Sequence, residues 1–110
     1  MRVEVRSEGA GDGFVADARR RVAQALAGNA GAVERVRVCA QAGGDSQVLC
    51  RFEVQGLRAW RVIVEEVDAD ARQALERAAS RVAINVGHTL ERVQRTACRG
   101  PQPWPATRAP

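Results

Sequence analysis

The chain has 110 residues, 45% of them hydrophobic, and a formal net charge of +4. This is enough for one domain with a modest core, and no apolar run approaches the roughly 20 residues that a membrane helix needs. All 17 basic residues are arginine, a bias that a GC-rich genome produces and that a phosphate-gripping surface also uses, because guanidinium binds phosphate bidentately.

The first segment, Arg2-Val3-Glu4-Val5-Arg6, alternates with period two. It predicts a half-buried strand with Val3 and Val5 inward. The start MRVEVRSEG has no apolar core of a signal peptide, which points to the cytoplasm. GAGDG at positions 9–13 fits neither a dinucleotide-binding nor a P-loop pattern. It reads as a turn, with Asp12 a candidate cap for the helix that follows. From Phe14 to Leu26 the period becomes helical: Phe14, Val15, Ala18, Val22, Ala25 and Leu26 share one side. Arg19 and Arg21 flank that side and Arg20 points away from it. GNAG at 28–31 stops the helix.

Three strands follow. VERVRVCAQ places Val36, Val38 and Ala40 on one face and Arg35, Arg37 and Cys39 on the other. AGGD makes a hairpin turn. SQVLCRFEVQ points Val48, Cys50, Phe52 and Val54 one way, opposite Leu49, Arg51, Glu53 and Gln55. After the tight QGL connection, RAWRVIVEEV turns Trp60, Val62 and Val64 inward, opposite Arg61, Ile63 and Glu65. Each strand is apolar on one face and largely charged on the other, as in a sheet covered on one side. The outer face offers no aromatic platform for stacked bases, and cross-strand Arg–Glu pairs account for its charges.

The last element runs from Val67 to Arg95. Asp70 can cap a helix, with Gln73 closing a capping box. Ala71, Leu75, Ala78, Val82, Val86, Thr89 and Val93 form its apolar face, and Gly87 is a weak point. At about 100° per residue, Arg77, Arg81, His88, Arg92 and Arg95 fall within roughly 60° of one another, about 120° from the apolar face. Such a stripe is either a solvated flank or a rail for a phosphate backbone. As a rail it releases counterions with each phosphate neutralised. Helix 1 contributes Arg19, Arg20 and Arg21; if it packs beside the second helix, one of the flanking pair, Arg19 or Arg21, faces the gap, making a cleft with basic walls. After Arg95 the prolines of TACRGPQPWPATRAP end the helix.

The order is β-α-β-β-β-α: an α+β, two-layer sandwich with both helices on one face of a four-stranded sheet. The domain is expected over residues 1–96. Residues 97–110 are expected to be a flexible tail, in which Trp104 can dock on a partner. Cys39, Cys50 and Cys98 have no metal or redox spacing and read as reduced thiols. With His88 as the only histidine, no metal site or cofactor is expected. No nucleophile–base pair or carboxylate dyad suggests an enzyme; Glu65, Glu66, Asp68 and Asp70 read as a strand end and a helix cap.

With these elements in place, the chain resembles the ribosome hibernation promoting factor family, also called the sigma-54 modulation family. MRVEVRSEG looks like that family's first strand, and ERVRVCAQAGGD is similar to its second strand and Gly-rich hairpin. Cys50 in VLCRFEV sits where short members often carry a strand cysteine. VIVEEVDADARQALERAASRV resembles the family's approach to its second helix, with Ala74, Leu75, Glu76, Ala78 and Arg81 filling the pattern. The likeness covers roughly residues 1–95. It implies a layout related to double-stranded RNA-binding domains and binding in the decoding cleft of the small ribosomal subunit. In that picture Arg19, Arg20, Arg21, Arg77, Arg81, Arg92 and Arg95 contact rRNA and block translation sterically. No membrane or small-molecule substrate is implied, and the short tail is not the dimerising domain of long-form members. Two other expectations stand beside this one: a general structured-RNA-binding module, and a protein-interaction module that pairs through its outer sheet or a strand edge.

Overall fold

The computed structural model describes residues 1–11 and 13–99, the last four as helix backbone only. Four strands form one sheet in the order β1 (Arg2–Ser7), β2 (Val33–Ala42), β3 (Val48–Gly56) and β4 (Arg61–Asp68). Helix α1 (Phe14–Ala25) links β1 to β2, which are parallel; the other pairs are antiparallel. Helix α2 (Ala71–Arg99) follows β4 and packs on β3, β4 and α1, while α1 also packs on β1. The fold is the expected α+β sandwich of β-α-β-β-β-α order.

The strand faces fall as their period two demands. Val36, Val38 and Ala40 are buried on β2, Val48, Cys50, Phe52 and Val54 on β3, and Val62 and Val64 on β4. Trp60 is buried just before β4 begins. Burying a side chain such as Phe52, which is fully enclosed, stabilises the fold by about 1.5–3 kcal/mol.

Helix α2 buries Leu75, Ala78, Val82 and Val86 as its pattern requires, and also Ala74, Ala79 and Leu90. Ala71, Thr89 and Val93 are half-buried. The covered arc is wider than one stripe because α2 has two neighbours, the sheet beneath it and α1 beside it. Helix α1 covers less. Phe14, Ala18, Val22 and Leu26 are buried, but Val15 is 43% exposed. The expectation for Val15 fails because Phe14 takes the core position, and the next residue lies about 100° around the helix.

The caps also differ from the simplest reading. Gly13, in the left-handed region, occupies the cap position of α1 and makes no side-chain cap bond; Asp12 lies outside the described residues. Asp70 does cap α2, its Oδ1 accepting the Arg72 backbone N–H at 2.9 Å. The reciprocal bond comes from Asp68, whose Oδ1 accepts the Asp70 N–H at 2.9 Å, in place of Gln73. The helix passes Gly87 unbroken and continues four residues beyond Arg95. Trp104 and the remainder of the expected tail lie outside the described residues, as does the Cys98 side chain.

Candidate nucleic-acid interface

Because α2 turns straight back after β4, one of its flanks overhangs the free edge of that strand. Arg77 and Arg81 lie on this flank, and both are engaged. Arg77 donates from Nη1 to Asp68 Oδ2 at 2.8 Å, from Nε to Glu66 Oε1 at 3.3 Å and from Nη2 to the Val67 carbonyl at 2.9 Å. Arg81 donates from Nη1 to Glu66 Oε2 at 2.5 Å and to the Glu65 carbonyl at 3.3 Å. The Glu66 side chain is only 18% exposed. Bonding to Arg81, and then to Arg77, holds its carboxyl below the usual carboxylate range. The Asp68 carboxyl is lowered first by the Asp70 backbone N–H and next by Arg77. Arg77 is in turn raised, by Asp68 and then Glu66. The two guanidinium groups therefore neutralise carboxylates and cover two carbonyls of an edge strand, which would otherwise invite another strand to pair.

These two arginines belong to the expected rail. Its N-terminal half, Arg77 and Arg81, is an edge clamp whose charge is met within the fold. Period-two parity explains the partners: Glu66 and Asp68 continue the inward set Val62 and Val64, so they fall on the side that α2 covers. Extending that parity by two residues would have found them.

The cleft with basic walls is also absent. Helix α1 lies on the other flank of α2, against Glu76 and Ala79, so the stripe faces away from it. Arg21 does face the gap between the helices, where it meets Glu76 at 3.0 Å. The other residues lining that groove are Gln24, Ala25, Ala79, Ser80 and Ala83. Arg20 pairs with Asp17, and Arg72 approaches the same carboxylate at 3.7 Å. Arg19 donates to the Val3 carbonyl on β1 at 3.3 Å. The seven arginines expected to act together are thus dispersed, with Arg19, Arg20 and Arg21 each directed to a different neighbour.

His88, Arg92 and Arg95 remain exposed on the C-terminal half of α2. Among the described residues no ion pair engages His88 or Arg95. This part of α2 lies at the end of the molecule where Leu57, Arg58 and Trp60 line a cavity with Leu90, Val93 and Gln94.

The outer sheet face carries the expected cross-strand pairs: Arg37 with Glu4 at 3.3 Å, Arg51 with Glu65 at 3.7 Å and Arg61 with Glu53 at 3.5 Å. Phe52 and Trp60 are buried on the other side of the sheet. Cys39 and Cys50 are free thiols. Burial, with a smaller effect from Cys39, pushes the Cys50 thiol up to about 12, far from the thiolate form that reacts. Among the described residues no group of three or more His, Cys, Asp or Glu side chains could hold a metal, and no helix is long and apolar enough to cross a membrane. What the exposed surface of the described residues offers chemically is mainly guanidinium, spread over both helices and the outer sheet face.

No family model matches the chain, and no curated protein matches it. Solved structures do. The N-terminal domain of Protein Y from Thermus thermophilus superimposes with a TM-score of 0.67 at 20% identity, over 81% of this chain and 99% of that domain. A ribosomal subunit interface protein from Coxiella burnetii gives a TM-score of 0.64 at 7% identity, over 83% of this chain and 99% of that one. Both belong to the ribosome hibernation family that the sequence resembles. The chain has their fold across nearly its whole described length.

Proposed function

We propose that this chain is a ribosome-associated translation inhibitor that binds the decoding cleft of the small subunit through contacts to the rRNA backbone. The observation that carries the reading is the likeness of its fold, over 83% of this chain and 99% of the other, to a protein named for the ribosomal subunit interface. The arginine-only basic surface suits the partner, because guanidinium binds phosphate through paired N–H donors. Inhibition is steric and needs no chemical step. On α2 the proposed contacts are Arg77, Arg81, Arg92 and Arg95. Arg19, Arg20 and Arg21 contribute from α1, while Arg77 and Arg81 act first in holding β4.

The test is co-sedimentation of the full chain with purified small subunits across a potassium chloride series. Binding is expected at low salt and should weaken steeply as salt rises. Replacing Arg92 and Arg95 together by glutamine should flatten the log–log salt slope by about 2, near one unit per lost phosphate contact. A wild-type chain that stays in the supernatant at low salt would overturn the reading.

A further inference from the structure

Strand register sorts the outer sheet face into rows that cross all four strands. One row reads Arg2, Arg35, Gln55, Arg61. The next reads Glu4, Arg37, Glu53, Ile63, and a third reads Arg6, Cys39, Arg51, Glu65. The second and third rows contain their own acids, and Arg37 and Arg51 pair with them. The first row has three arginines and no acid.

Arg2 and Arg35 are direct cross-strand partners, an arrangement in which like charges repel. Arg35 is turned onto Gln55, donating to its Oε1 at 3.0 Å, which fixes its direction without neutralising it. Arg61 alone reaches an acid, Glu53 of the neighbouring row, at 3.5 Å. Strands lie about 4.8 Å apart, so the row spans roughly 14 Å, long enough for several consecutive phosphates.

We propose that Arg2, Arg35, Gln55 and Arg61 form an anion lane across the outer sheet that takes the phosphate backbone of a nucleic-acid strand. The lane is open and linear, which suits a polyanion better than a single small anion. Its row has no apolar anchor of the kind that centres a protein interface. It has no aromatic on which bases could stack, so binding is independent of sequence and sensitive to salt. This goes beyond the small-subunit reading, since it concerns the opposite face of the sheet and requires no ribosome.

The experiment is fluorescence anisotropy of a labelled oligouridine with the full chain across a salt series, comparing R2Q/R35Q with R37Q/R51Q. Both variants lose the same charge, but only the first removes the lane. The R2Q/R35Q change is expected to weaken binding at least tenfold at low salt and to flatten the salt slope by about 1.4, at roughly 0.7 per phosphate on a single strand. The R37Q/R51Q change should stay within about twofold of wild type. Removing a like-charge pair should not lower the melting temperature of R2Q/R35Q. Equal losses in the two variants, no loss in either, or no oligouridine binding by the wild type would each overturn the lane. R2Q/R61Q gives a second reading on two exposed side chains. Sedimentation with small subunits is scored separately, so either proposal can fail while the other stands.

Discussion

Gly56 shows how closely one residue can be constrained. It ends β3, where its N–H donates to the Trp60 carbonyl at 2.8 Å, and the Trp60 ring folds directly over it. A Cβ at this position would lie 1.8 Å from Trp60 Cε2, far inside van der Waals contact. Gly56→Ala must therefore displace a buried indole, and it should destabilise the protein by about 1–3 kcal/mol. Urea unfolding would show this as a lower midpoint at unchanged slope; an unchanged midpoint would mean that the ring moves at no cost. The sequence marked a tight connection here and an inward Trp60. It gave no sign that the two must fit each other, because that contact depends on how the turn closes.

At the scale of elements, β4 and α2 are joined by a charge cluster as well as by apolar contact. Glu66 and Asp68 both sit below the usual carboxylate range, held there by hydrogen bonds that include Arg81 and Arg77. A depressed folded-state value means that the unfolded chain takes up protons first as pH falls. The stabilisation is fully present above the ordinary carboxylate values near 4. It is lost as pH drops through that range toward the lower folded-state values. Thermal melts between about pH 7 and about pH 3 should show that loss. R77A/R81A should melt lower than wild type at neutral pH, and the gap should narrow in acid. A gap that is constant with pH would mean that the arginines act through packing of their stems alone. The sequence showed both arginines on one helix flank, but their partners come from a strand that α2 only reaches by folding back.

Across the whole molecule, internal ion pairs and external cationic sites respond differently to salt. Most of the ion pairs are exposed, such as Arg37 with Glu4 and Arg51 with Glu65, so they contribute little to stability. The hydrophobic core carries the fold, and screening leaves it intact. Between about 0.05 and about 0.5 M potassium chloride the melting temperature should shift by less than about 3 °C, while the proposed RNA binding should fall by orders of magnitude. A melting temperature that falls in parallel with binding would show that the charges support the fold instead of a partner.

The two periodicities determined the elements and their inner faces from sequence alone. Alternation assigned Val36, Val38, Phe52 and Val64 to the core, and helical spacing did the same for Leu75, Val82 and Val86. Both rules are local, since the direction of a side chain follows from its neighbours' backbone geometry. The seven arginines were identified by the same means, but their grouping was not. Tertiary structure decided that Arg21 meets Glu76, 55 residues away, that Arg77 and Arg81 close on β4, and that Arg2, Arg35 and Arg61 align across the sheet. Electrostatic partnership depends on register and on which flank of a helix faces a neighbour. Those are long-range properties, fixed only when the whole chain packs.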